Sequence, residues 1–162
     1  MTDQLRGALD ASDLRVGVVR SLFNRPVTDG LLDGALAILD EAGANDVTVI
    51  DVEGAFETPL VAQSMAQRGY DAVVVLGAVV EGETDHYEHI AGRASEGLMR
   101  VMLDTGVPVS FGILTVRDPA HAHARSAPDE HNKGREAAEA AVRTADLLRR
   151  ELRSKSQESR QS

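Results

Sequence analysis

The segment VLGAVVEGETDHYEHIA, from Val75 to Ala91, carries an apolar run into a glycine turn and then into a helix start. The helix opening on Thr84 and His86 would present free backbone N–H groups at its positive end, where a phosphate is readily held. His86 follows within one turn, and an imidazole changes charge near neutral pH, so it can carry protons. The pattern reads as half of an active site: an anion held beside a proton shuttle. His86 and His89 lie i, i+3 on the same helix with Asp85 and Glu88 beside them, a spacing also open to a metal pair. A third ligand is not evident, so no metal is expected and His89 reads as solvated. The loop from Gly77 to Thr84 has neither the G-K-[ST] ending of a P-loop nor the G-x-G-x-x-G of a dinucleotide fold, which argues against a nucleotide.

The surrounding elements must bring these groups to one place. Leu14 to Arg20 (LRVGVVR) is a β-branched run, and Leu31, Leu32, Ala35, Leu36 and Leu39 then recur at helical spacing, with Thr28 as the expected cap and Gly43 as the stop. Asp46 to Val52 is a second strand, Thr58 and Pro59 open a second helix, and Gly69 ends it. Asp71 to Gly77 is a third strand, nearly continuous in apolar residues as a strand covered on both faces should be. A long helix follows through Leu103, then a fourth strand over Val107 to Leu114, a short helix near Ala120 to Arg125, and an Ala-rich helix from Lys133 to about Leu152. Residues 1–13 are weakly patterned and expected to be a flexible segment. Residues 14–152 form a single domain, and the polar tail over 153–162 is expected to be disordered. Alternating strands and helices predict an α/β fold with a parallel sheet and right-handed crossovers. Ligands of such sheets bind beyond the carboxyl ends of the strands, where the segments starting at Ser21, Glu53, Gly77 and Thr115 must converge.

Composition narrows the partners. A chain of 162 residues, 43% hydrophobic and 27% charged, is ordinary for one globular domain. A formal charge of −9, with no basic stripe along any predicted helix, argues against nucleic acid. Without cysteine there is no disulfide framework, and neither a signal peptide nor an apolar run of membrane length is seen, so a cytoplasmic location is expected.

Five motifs then stand in order: FN after the first strand, GAFE-x-P after the second, GAVV-x-GET-x-HY after the third, FGILT in the fourth, and NKG-x-EAA opening the last helix. Together they resemble the lumazine synthase family over about Leu14 to Leu152. The resemblance implies a flavodoxin-like three-layer αβα sandwich around a central four-stranded parallel sheet. It implies the riboflavin-pathway condensation of 5-amino-6-(D-ribitylamino)uracil with 3,4-dihydroxy-2-butanone 4-phosphate, giving 6,7-dimethyl-8-ribityllumazine, phosphate and water, with no cofactor. It also implies a homopentamer or a multiple of pentamers with sites at subunit interfaces, and leaves room for riboflavin synthase as a partner.

By the same resemblance, Phe23 stacks on the pyrimidine, with Asn24, Ala55, Phe56, Val79 and Val80 around it, and Glu57 holds ribityl hydroxyls. Gly82, Glu83 and Thr84 receive the butanone phosphate, Arg125 clamps it, and His86 transfers protons. Phe111, Arg125 and Lys133 are expected to come from the neighbouring subunit. Two positions depart from the family's pattern: Glu53 stands where Pro is frequent, and Glu81 where Arg is frequent. A carboxylate at Glu81 pointing inward would weaken anion binding, so it is expected to point away from the phosphate. SAPDEH (Ser126 to His131) replaces a Gly-rich link of shell-forming members, which leaves assembly beyond a pentamer open.

Other readings stand beside these. Phe23 and Phe56 could be core residues at strand ends, and Arg125 and Lys133 solvated charges. The same fold could bind a flavin or lumazine without turning it over, as a self-assembling carrier, although a proton shuttle beside a phosphate clamp is superfluous in a pure binder. A flavodoxin-type FMN carrier is disfavoured, because its phosphate loop after the first strand is rich in Ser and Thr and here that place is SLFNRP.

Overall fold

The structure, a computed structural model, describes residues 1–82 and 84–152, so the expected phosphate contact at Glu83 and the tail over 153–162 lie outside the described residues. Strands β1 (Arg15–Ser21), β2 (Asp46–Val52), β3 (Ala72–Val80) and β4 (Val109–Val116) form one parallel sheet in the order β2-β1-β3-β4. Helices α1 (Arg25–Glu41), α2 (Thr58–Gln67) and α3 (His86–Thr105) fill the crossovers, and α4 (Pro119–Ser126) and α5 (Lys133–Asp146) follow β4. A 3₁₀ turn over Ala55–Glu57 precedes α2, and a π-helical turn over Leu147–Leu152 follows α5.

Side-chain alternation along the strands builds two cores. Val16, Val18, Val74 and Leu76 meet α1, α4 and α5 on one face, while Val19, Val73 and Val75 meet α2 and α3 on the other. This is the expected three-layer α/β sandwich with a flavodoxin-like strand order. β3 lies at the centre, buried from Ala72 through Val79, whereas the edge strand β2 alternates between exposed and half-buried positions.

Several boundaries differ from the sequence reading. α1 starts at Arg25 rather than after a Thr28 cap, because Asn24 turns the chain in a left-handed conformation (φ 56°) and Pro26 presets the first turn. Thr28 is fully buried inside the helix, its hydroxyl donating to the Arg25 carbonyl. α2 opens at Thr58 as expected, with Glu57 in the cap position and the Thr58 hydroxyl donating to the Ala55 carbonyl at 2.7 Å. β3 runs past the Gly77 turn to Val80, paired residue by residue with β4 through Val80↔Val116. Gly77 is needed there for room, since a Cβ would stand 2.9 Å from Ser21 Oγ. Of residues 1–13, Gly7 and Ala11 are buried, and the Ala8 N–H donates to Asp146 Oδ2 at 2.7 Å.

The contact between α1 and α5 is made backbone to backbone. A Cβ at Gly134 would stand 1.9 Å from the Leu31 carbonyl oxygen, and one at Gly34 would stand 2.1 Å from Asn132 Oδ1. Asn132 is buried and fully bonded: its Oδ1 accepts from the N–H groups of Gly134 (2.9 Å) and Arg135 (3.1 Å), and its Nδ2 donates to the carbonyls of Gly30 (3.0 Å) and Ala127 (2.9 Å). Because the obstacle at Gly134 is main chain, Gly134→Ala must separate the helices, an overpacking cost of about 1–3 kcal/mol or more. The expected outcome is a lower urea midpoint at fixed protomer concentration, and an unchanged midpoint would show that the helices yield freely.

Candidate active site

The carboxyl ends of β1, β2 and β3 and the start of α3 enclose a cavity of about 680 Å³. Phe23 follows β1 and Phe56 follows β2, and both line it while standing 64% and 62% exposed, which sets aside the core reading of these rings. Two aromatic faces held out of the core at strand ends suit a flat heteroaromatic ligand. Ala55 and Glu57 extend the wall on the β2 side, and Val79 and Val80 form the floor at the end of β3.

Gly82, Thr84 and His86 complete the far side. Thr84 Oγ1 accepts from the His86 N–H at 3.4 Å, so the hydroxyl sits against the first turn of α3 beside the imidazole. Gly82, Thr84 and His86 therefore face one space. Asn24 lies next to this cavity in sequence but does not line it, and its Nδ2 is shielded with no hydrogen-bond partner among the described residues.

Three other expected residues stand elsewhere on the chain. Phe111 and Lys133 line a second cavity of about 360 Å³ between β4 and α5, where Lys133 Nζ pairs with Glu136 Oε2 at 2.8 Å. Phe111 is 48% exposed, so all three phenylalanines of the chain project outward. Arg125, on α4, lines neither cavity and donates to the His121 carbonyl at 3.2 Å.

The two departures behave differently. Glu81 pairs with Arg117, with 3.0 Å between Oε2 and Nε, and does not line the cavity. Glu53 does line it. Tyr87, also in the wall, donates to Glu88 Oε1 at 3.1 Å, and its phenol is pushed up by partial desolvation and by the carboxylates of Glu88 and Glu81.

A family model described as 6,7-dimethyl-8-ribityllumazine synthase matches residues 13–149. The chain belongs to the 6,7-dimethyl-8-ribityllumazine synthase family. Relatives carrying that name include one from Thermococcus gammatolerans, 46% identical over 90% of this chain and 95% of its own. One from Salinibacter ruber is 47% identical over 91% of this chain and 97% of its own, and one from Streptomyces coelicolor is 44% identical over 86% and 88%.

Within this lumazine synthase family member, sequence reasoning missed the second half of the α3 wall. His89, Ile90 and Arg93 line the cavity at i+3, i+4 and i+7 from His86, the spacing of one helix face. That spacing is legible once His86 is placed in a cavity; His89, read as merely solvated, is part of its lining. Among the described residues no group of three or more His, Cys, Asp or Glu is placed to hold a metal ion, and no helix is long and apolar enough to cross a membrane.

The rim that carries Phe23 is fastened by a buried cation. Arg20, with a side chain 5% exposed, donates to Asp51 from Nε (2.9 Å) and Nη2 (3.2 Å) and from Nη1 to Asp29. Directly beyond, the Leu22 N–H donates to the Val52 carbonyl (2.8 Å) and the Phe23 N–H to that of Glu53 (3.2 Å). Arg20 holds the Asp51 carboxyl below its ordinary value, mainly through the hydrogen bond. A depressed folded-state pKa stabilises above the unfolded value and is lost as pH falls through the folded one. Asp51→Asn should therefore be less stable than wild type at neutral pH, with the two urea midpoints converging below about pH 4. A constant gap between them at every pH would show that the pair's charge is not what matters.

Proposed function

We propose that this chain is a working lumazine synthase of riboflavin biosynthesis, acting in the cytoplasm. Its two substrates would be 5-amino-6-(D-ribitylamino)uracil and 3,4-dihydroxy-2-butanone 4-phosphate. The observation that carries the reading is one cavity walled by two outward phenylalanines on one side and by Gly82, Thr84 and His86 on the other. One side suits a pyrimidine and the other a phosphate.

In this mechanism Phe23 stacks on the pyrimidine, and Asn24, Ala55, Phe56, Val79 and Val80 supply polar and backbone contacts around it. Glu57 accepts from ribityl hydroxyls. The turn of Gly82, Glu83 and Thr84 holds the phosphate through backbone N–H groups and a hydroxyl, and Arg125 clamps the same phosphate from a neighbouring subunit. The uracil amine adds to the ketone and loses one water to give an imine. Phosphate then leaves by elimination, the enol tautomerises to a second ketone, and the ribitylamine nitrogen closes the ring with loss of a second water. Each step moves a proton, and His86 in the cavity lining would carry it. Holding the two substrates together contributes a further part of the rate.

Phe111 and Lys133 fit the same scheme as contributions to the next subunit's site. They line a separate groove at the β4 edge of the sheet, where a second copy would complete its neighbour's cavity. A contact between two different surfaces of one chain gives a ring when its rotation closes, as in a homopentamer or a multiple of it.

The direct test mixes the purified protein with both substrates and follows the lumazine absorbance band against a no-enzyme control. Acceleration is expected, with His86→Ala lowering turnover about 10²-fold or more while the assembly stays intact. No acceleration by wild type, with the lumazine product still bound, would replace the enzyme with a carrier. Loss of assembly in His86→Ala would make that residue structural. Arg125→Ala should raise the KM for the butanone phosphate at least tenfold and leave that for the ribitylaminouracil nearly unchanged. Equal effects on both would remove the clamp assignment.

A further inference from the structure

One wall of the cavity carries a charge, that of Glu53, to which the proposed mechanism gives no role. Glu53 and Glu57 both line it from the segment after β2, flanking Gly54. Among the described residues neither carboxylate has a hydrogen-bond or ion-pair partner. Glu53 is nonetheless fixed at its backbone, because its carbonyl accepts from the Phe23 N–H at 3.2 Å, which holds it in register with the outward ring. The Glu57 side chain folds back over the same point: a Cβ at Gly54 would stand 3.1 Å from Glu57 Oε2.

The opposite wall presents nitrogen groups instead. His86, His89 and Arg93 present one helix face to the cavity, with Gly82 and Thr84 ahead of it. The cavity thus has carboxylates on one wall and imidazole and guanidinium nitrogens on the other. An ionised carboxylate only accepts, so two of them without protein partners select a neutral group rich in donors and repel an anion. Hydroxyls on adjacent carbons meet that demand, offering one O–H to each carboxylate.

Resting on the proposed function, we infer that Glu53 is a specificity residue that binds the ribityl chain together with Glu57 and sets this chain's discrimination for a polyol-bearing pyrimidine. Of the two substrates, the ribitylaminouracil carries the hydroxyls and the butanone phosphate carries the anion, so each finds the end of the cavity that suits it. The carboxylate at 53 then has a purpose where a proline would supply none.

The test varies each substrate in turn for wild type, Glu53→Gln and Glu53→Ala, and repeats the assay with 5,6-diaminouracil, which lacks the ribityl chain. Oligomeric state and far-UV dichroism check that each variant folds as wild type does. The KM for the ribitylaminouracil should rise about tenfold or more in Glu53→Ala and less in Glu53→Gln, which keeps an acceptor oxygen. The KM for the butanone phosphate should not rise, and the rate with 5,6-diaminouracil should be insensitive to either change. An unmoved KM for the ribityl substrate, an equal rise for both substrates, or an equal loss with 5,6-diaminouracil would each overturn the assignment. Wild type that turns over neither pyrimidine would instead sink the functional reading on which it rests.

Discussion

The arrangement depends first on one buried asparagine. Asn132 uses both donors and its carbonyl oxygen on four main-chain groups, drawn from α1, the α4–α5 connection and the first turn of α5. A buried amide left half-bonded would be costly, whereas one fully satisfied in a low-dielectric interior is strong and directional. Its geometry requires the two helices to approach until only glycine fits between them, at Gly34 and Gly134. That contact sets where α5 begins, and with it the position of Lys133 against β4.

Arg20 plays a comparable part at the other end of the sheet. Its guanidinium sits under the strand ends and joins β1 to β2 through Asp51 and to α1 through Asp29. A buried cation tolerates few arrangements, because its charge must stay beside its carboxylate partners. The loops that leave β1 and β2 therefore start from fixed points, and Phe23 and Phe56 can stand out of the core without wandering. The candidate site is held from beneath by polar contacts, and its apolar surfaces are free to face a ligand.

Much of this was legible in the sequence, and the exceptions share a cause. Strand and helix order followed from periodicity and turn residues, because those signals are local. The start of α1 was misplaced since Thr28 looks like a cap in sequence, while the left-handed turn at Asn24 that displaces it is a backbone choice. The end of β3 was placed too early because Gly77 resembles a turn, and its pairing with Ile113 on β4 becomes visible only across the sheet. The outward phenylalanines, His86 and the Gly82–Thr84 turn were found through motifs. His89 and Arg93 were missed because their relevance depends on which face of α3 turns toward the cavity, a tertiary fact. The Arg20 pairs escaped for the same reason, being made between residues 9 and 31 apart in sequence.

The run of β3 from the centre of the core to the floor of the cavity has an evolutionary consequence. Val73 to Leu76 are sealed inside the sandwich, and the same strand continues without interruption into Val79 and Val80, which meet the ligand space. Reshaping that floor means repacking the strand on which the whole fold closes, so drift there is purged for stability before it can be tried for chemistry. The rim has no such tie. Glu53, His89 and Arg93 stand on exposed ground, and substitutions there change the cavity lining at little cost to the fold. Descendants of this chain would diverge in substrate preference around the mouth while the floor stayed nearly constant.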